Sequence, residues 1–200
     1  MKRILLIMQI IMIALMSVSC VDEISDSSSF FQELTFSASY GSETRTALTE
    51  ANAVNWLPGD KIAVSGATEP FISDLVEPSD FTFFKGSAPE ASAYYAVYPY
   101  SLLKSWDGSV ATVEIPQIQT AVKGTFADDL NISVASTSAD DMSFRFHNVL
   151  GYVKFIVTEN TGKVKSIVVK AIGGEPLAGY VEVDCSSDTP RATAKKNMQD

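Results

Sequence analysis

One histidine and two cysteines are all that this 200-residue chain offers as soft metal ligands. Tetrahedral zinc sites draw on several Cys and His side chains. Cys20 closes an apolar leader, so His147 and Cys185 alone remain, and zinc clusters of that kind are excluded by number. Cys185 is then left without a partner, and the fold has to stand without an internal disulfide. Positive charge is also scarce. Fifteen Lys and Arg face 24 Asp and Glu, for a net charge of −9, which argues against a nucleic-acid partner, whose phosphates need a basic face. No phosphate loop, dinucleotide fingerprint or G-x-S-x-G elbow occurs, so nothing calls for a cofactor. No amphipathic helical pattern follows the leader, and no repeat recurs at a solenoid period.

What is present begins with the leader. Met1, Lys2 and Arg3 form a basic head, and an apolar run from Ile4 to Val18, broken only by Gln9 and Ser17, leads to Ser19 and Cys20. That is the layout of a secretory signal, and it is shorter than the roughly 20 apolar residues a spanning helix needs. The cysteine at the exit resembles the lipobox of bacterial lipoproteins, although Ser17 stands where that family prefers Leu. The resemblance implies cleavage after residue 19, a lipid on Cys20 and a membrane as partner through that lipid. An uncleaved anchor helix is the alternative, and either arrangement puts the domain outside the cytoplasm. Losing Lys2 and Arg3 brings the net charge from −9 to near −11 (−9 minus 2). Residues 20–33 read as a flexible acidic tether rich in Asp, Glu and Ser. Acidic residues directly after the cysteine resemble the surface-export signal of Bacteroidota lipoproteins; an ordinary solvated linker is the plain reading.

Beyond the tether the strand period dominates. Leu34, Phe36, Ala38 and Tyr40 alternate with polar residues, the mark of a half-buried strand. Leu57-Pro58-Gly59-Asp60 carries the type II turn pattern, with Pro presetting one φ and Gly accepting a positive one. Alternation recurs around Ile62 and Val64, Phe81 and Phe83, Tyr94 to Tyr98, Ala111 to Ile115, Ile132 and Val134, and Phe144 and Phe146. Residues 149–157 are the most apolar stretch after the leader and are expected to cross a sheet centre covered on both faces. After the turn at Asn160-Thr161-Gly162, residues 164–172 read as another strand and residues 177–183 as the last. Trp56 and Tyr98, beside turn signals at strand period, are expected in the core. About ten short strands with regular turns predict an all-β, two-sheet β-sandwich over residues 34–183. Residues 184–200 form a polar tail that ends without a fold signal.

Catalytic chemistry is thin. His147 sits at strand period in Phe144-Arg145-Phe146-His147-Asn148 and reads as structural. The pairs Asp128-Asp129 and Asp140-Asp141 fall in loops, and adjacent carboxylates do not face each other as acid/base catalysis requires; calcium there would need further oxygen ligands. Asn131-Ile132-Ser133 matches a glycosylation sequon, discounted in a bacterial setting. Tyr94, Tyr95, Tyr98 and Tyr100 offer aromatic surface for sugars, against the plainer reading of core and edge residues. No catalytic residue is assigned, and the chain reads as a non-enzyme.

Several segments then resemble a known family in their order. Thr44-Arg45-Thr46-Ala47-Leu48 leads to Val54-Asn55-Trp56 and Pro58-Gly59-Asp60-Lys61-Ile62-Ala63-Val64. Tyr94-Tyr95-Ala96-Val97-Tyr98-Pro99, Ile115-Pro116-Gln117-Ile118-Gln119-Thr120, Phe144 to Gly151 and Leu177-Ala178-Gly179-Tyr180-Val181 follow. This succession is similar to the N-terminal domain of the fimbrillin-like lipoproteins of Bacteroidales, pilins and pilus accessory proteins. The resemblance implies a transthyretin-like sandwich, a lipid-anchored location at the outer membrane and cell surface, and adhesion through strand exchange between homologous subunits. It also implies Arg45 as a candidate for protease processing after the first strand. Members usually carry a second sandwich domain, most of which a chain ending at Asp200 lacks, so residues 184–200 read as a polar tail or as the truncated start of that domain. A glycan-binding surface lipoprotein of a polysaccharide-uptake system is the alternative function.

Overall fold

The computed structural model describes residues 30–40, 55–127, 130–158, 162–187 and 189–195. The protein is all-β, with eleven strands among these residues in two sheets. The larger sheet does not stay open: it closes into a seven-stranded barrel in the order β1-β4-β3-β2-β5-β8-β9. Its strands are β1 (Phe31–Tyr40), β2 (Lys61–Val64), β3 (Phe71–Ser73), β4 (Phe81–Pro89), β5 (Ala93–Tyr98), β8 (Ser133–Ser138) and β9 (Ser143–Asn148). The second sheet contains β6 (Leu103–Asp107), β7 (Val110–Ile115), β10 (Gly179–Asp184) and β11 (Ala192–Ala194), ordered β11-β10-β7-β6.

The period of two sorts side chains into two cores. Inside the barrel, Phe36, Trp56, Ile62, Phe71, Phe84, Tyr94, Phe144 and Phe146 are fully buried. Trp56 sits among rings, edge-on to Phe84, Tyr98 and Phe146 at 5.1–5.2 Å and stacked on Tyr40 at 4.6 Å. A second core lies between the outer face of β2, β5 and β8, which supplies Ala63, Val97 and Val134, and the small sheet, which supplies Ala111, Val113, Val181 and Val183. Strand β5 is therefore apolar on both faces, and β8, otherwise Ser and Thr, adds Ala135 to one core and Val134 to the other. Tyr94, Ala96 and Ala135 point into the barrel, and Val97 and Val134 point out of it.

Local chemistry agrees at the turns and close approaches. Gly59 takes φ +79°, and the Asp60 N–H closes onto the Leu57 carbonyl at 3.1 Å. On β4, Gly86 faces the barrel interior where a Cβ would lie 2.7 Å from the Phe71 ring, so only glycine lets that ring fill the space.

In the second half of the chain three sequence expectations require correction. Residues 149–157 do not cross a sheet centre: β9 ends at Asn148, Val149 and Leu150 partly cover the second core, and the chain then leaves both sheets, with Val153 69% and Ile156 79% exposed. The position covered on both faces is already filled by β5 and β8. Residues 164–172 likewise join neither sheet. The stretch after Asp184, expected to be a plain tail, supplies edge strand β11, paired with β10 from Val181↔Ala194 to Val183↔Ala192.

Trp56→Ala is expected to lower stability by about 3–5 kcal/mol in urea denaturation, the cost of emptying a ring-lined site. Ile156→Ala, on the exposed segment, is expected to change it by less than about 0.5 kcal/mol. Equal effects from the two would contradict this division between core and surface.

Candidate functional site: the β1 seam of the barrel

The residues most suited to function are those that hold β1 in the barrel wall. β1 alternates as its sequence promises: Leu34, Phe36, Ala38 and Tyr40 face inward and Thr35, Ser37 and Ser39 outward. Its first three residues, Phe31, Gln32 and Glu33, were expected in the tether but already pair with β4. β1 runs antiparallel to β4 over nine register pairs, from Phe31↔Pro89 to Ser39↔Phe81, and parallel to β9 over four, from Ser37↔Ser143 to Tyr40↔Phe146. Both edges of this N-terminal strand are therefore bonded.

The slot it fills is apolar and aromatic. The Phe36 ring lies 4.6 Å from Phe144, 5.1 Å from Tyr94 and 5.5 Å from Phe71. At the far end Tyr40 acts as a latch. Its ring stacks on Trp56, Asn131 donates Nδ2–H to its hydroxyl at 3.2 Å, and the Tyr152 hydroxyl donates to Asn131 Oδ1 at 3.4 Å. Burial holds the Tyr40 phenol above its ordinary pKa, and the nearby Asp60 carboxylate pushes the same way. Burial raises Tyr152 as well. Both hydroxyls therefore stay protonated and serve as hydrogen-bonding groups.

Withdrawing β1 would leave the facing edges of β4 and β9 without partners and uncover the ring-lined slot. Such an edge over an apolar groove is a template for another strand. The strand in that slot presents apolar side chains at alternate positions, with the small Ala38 between Phe36 and Tyr40.

Elsewhere the side chains carry little chemistry. A cavity of about 140 Å³ is lined by Val134, Ala135, Ser136, Arg145, His147, Cys185, Ser187 and Pro190. Cys185 is buried, its thiol donates to the Val183 carbonyl at 3.7 Å, and burial pushes its pKa up to about 12. A thiol held protonated is no nucleophile. No group of three or more His, Cys, Asp or Glu among the described residues is placed to hold a metal ion. Tyr94 is buried and Tyr98 almost so, and Tyr95 and Tyr100 are half-buried, so the four tyrosines form no open platform. Asp140 and Asp141 lie exposed in the β8–β9 turn. Cys20 and Arg45 both lie outside the described residues, as do Asp128 and Asp129. The parallel pairing of β1 with β9 and the Tyr40–Asn131 contact, 91 residues apart, had no local sequence signal.

No protein-family model, no curated protein and no solved structure matches this chain.

The buried thiol sets an alkaline limit. Cys185 titrates near 9.0 when unfolded and at about 12 when folded, so the folded state holds its proton more tightly. This contribution to stability is complete below about pH 9 and is lost as pH rises towards about 12. Urea midpoints between about pH 8 and about pH 11 should fall, and Cys185→Ala should flatten that fall. Parallel curves for the two proteins would count against it.

Proposed function

We propose that this chain is a non-enzymatic cell-surface lipoprotein that assembles by strand exchange, a fimbrillin-like pilus subunit or accessory. In this reading a lipid on Cys20 tethers it to the outer membrane, and its partners are that membrane and homologous subunits. The observation that carries the reading is β1: an N-terminal strand bonded along both edges, filling an apolar slot, and joined to the rest of the chain through residues 41–54, which contain Arg45. The transthyretin-like sandwich of that family belongs to the same reading. The face-to-face packing of the four-stranded sheet on β2, β5 and β8 supports it, with the larger sheet closed here by β1. Burial of the tyrosine cluster weighs against the glycan-binding alternative, which needs aromatic faces open to solvent.

The energetics explain why processing would matter. While the chain is intact, β1 competes for its slot as a tethered strand at high effective concentration, and an external strand loses. A cut at Arg45 removes the tether on one side and turns the contest into one between two free strands. Phe36 alone contributes about 1.5–3 kcal/mol by its burial, so release remains slow without a competitor of similar pattern.

Two outcomes are expected. Cys20→Ala should abolish incorporation of labelled fatty acid and release the protein from membranes; retained label would remove the anchor from the scheme. Light trypsin treatment should cut at Arg45. The cut protein should then take up a synthetic peptide with the 34–40 pattern, and faster from Tyr40→Phe, which loses a hydrogen bond worth about 1 kcal/mol. A domain that is cut there yet never binds the peptide would overturn the exchange mechanism.

A further inference from the structure

The cavity of about 140 Å³ beside Arg145 takes no part in the β1 seam. It lies where β8, β9 and the loop after β10 meet, and it has several times the space one water needs. Phe144 and Phe146 of β9 enter the barrel core, so Arg145 and His147, which alternate with them, point outward. Register pairing of β8 with β9 stops at Val134↔His147, although β8 runs on to Ser138 and β9 begins at Ser143. Ala135, Ser136 and Arg145, further along the two strands, line the cavity. The loop after β10 forms its remaining side and is held by its own backbone. The Cys185 N–H reaches the Ser109 carbonyl at 3.0 Å, the Ser187 N–H the Asp184 carbonyl at 3.4 Å, and the Thr189 N–H the Ser187 hydroxyl at 3.2 Å.

The polar side chains around this space are hydrogen-bond donors. Arg145 brings a guanidinium with five N–H groups, His147 an imidazole N–H, and Ser136 and Ser187 a hydroxyl each. No carboxylate lines the cavity among the described residues. Neither Arg145 nor His147 enters an ion pair among them; the three ion pairs use Lys85, Lys104 and Lys195. Asp184, at the start of the loop, is already engaged. Its Oδ1 accepts from the Ser109 hydroxyl at 2.9 Å, the Ser186 N–H at 3.0 Å and the Ser186 hydroxyl at 2.7 Å, and these bonds hold its carboxyl below the usual range. In a chain of net charge −9, an arginine and the sole histidine side by side around a hollow invert the overall composition.

We infer that this cavity binds a tetrahedral oxyanion, a phosphate or sulfate that is either free or carried on a small molecule. Arginine grips such oxygens with two parallel N–H bonds. The donors come from three separate segments, β8, β9 and the loop after β10, and so approach from more than one side. Four oxygens arranged in space use that surround, whereas a flat carboxylate is satisfied by the guanidinium fork alone. Arg145, Ser136 and Ser187 are exposed, so the ion exchanges freely with solvent and its dissociation constant is on the order of 1 mM. The site recognises and does not transform, because the Cys185 thiol in its wall stays protonated. It uses no residue of β1 and stands independently of strand exchange.

His147 is the only histidine, so its imidazole proton signals in NMR report on this cavity alone. The test titrates the full chain with inorganic phosphate, inorganic sulfate, glycerol phosphate and acetate at constant ionic strength. Phosphate and sulfate should shift the His147 signals saturably, and acetate should do so at least about tenfold more weakly. An equal response to glycerol phosphate assigns the site to a carried group, and a response to the inorganic ions alone assigns it to the free ion. Arg145→Gln should weaken phosphate binding at least about tenfold, and Ser136→Ala about fivefold. Arg145→Lys should recover part of the loss, which a misfolded variant would not. Lys123→Gln, an exposed cation in the loop after β7, should leave binding unchanged. Asp188 lies outside the described residues, so Asp188→Asn is titrated in parallel. No saturable shift, an equal response to acetate, an undiminished response in Arg145→Gln, or binding confined to Asp188→Asn, where the chain's own carboxylate would have filled the site, would each overturn the inference.

Discussion

Everything in this fold leans on the wall made by β5 and β8, which sends side chains into a core on each face. Six consecutive register pairs, from Ala93↔Ser138 to Tyr98↔Ser133, hold the two strands together. Side chains on one face of the wall enter the barrel and those on the other enter the second core. A strand buried on both sides must be covered on both sides, because its outward apolar groups gain nothing from facing water. The closed barrel supplies one cover and the four-stranded sheet the other. The small sheet therefore has a reason to exist: without it Val97, Val134 and Ile132 would form an exposed patch. Its own inner face, Ala111, Val113, Val181 and Val183, is the complement of that patch.

Beyond β8 the barrel is held differently. Between β8 and β9 only Ser133↔Asn148 and Val134↔His147 pair, so the wall is thin there. β1 completes it by joining β4 to β9, and most of its attachment is to β4. Closure thus depends on a strand that is first in sequence, tied to its neighbours only by ladder bonds, one aromatic row and the Tyr40 latch. The second core takes no residue from β1, so the packing of the small sheet on β2, β5 and β8 does not involve the strand that closes the barrel.

How much of this was legible follows from what each signal measures. Alternation found the strands around Phe36, Ile62, Tyr94, Val113 and Phe144, because a residue's facing is a local property. It also identified Trp56 as core. Alternation cannot report which strands pair, so an all-β chain with two sheets was expected without the closure of the larger one, and the parallel β1–β9 contact was invisible. Residues 149–157 misled for a related reason. Hydropathy registers the need for cover and not whether cover is free, and β5 and β8 had already taken the doubly covered place. The strand β11 escaped from the other direction. Ala192-Thr193-Ala194 is too small and polar to announce itself, and it is held by pairing to β10 and by Lys195, which bridges to Glu182 at 2.7 Å.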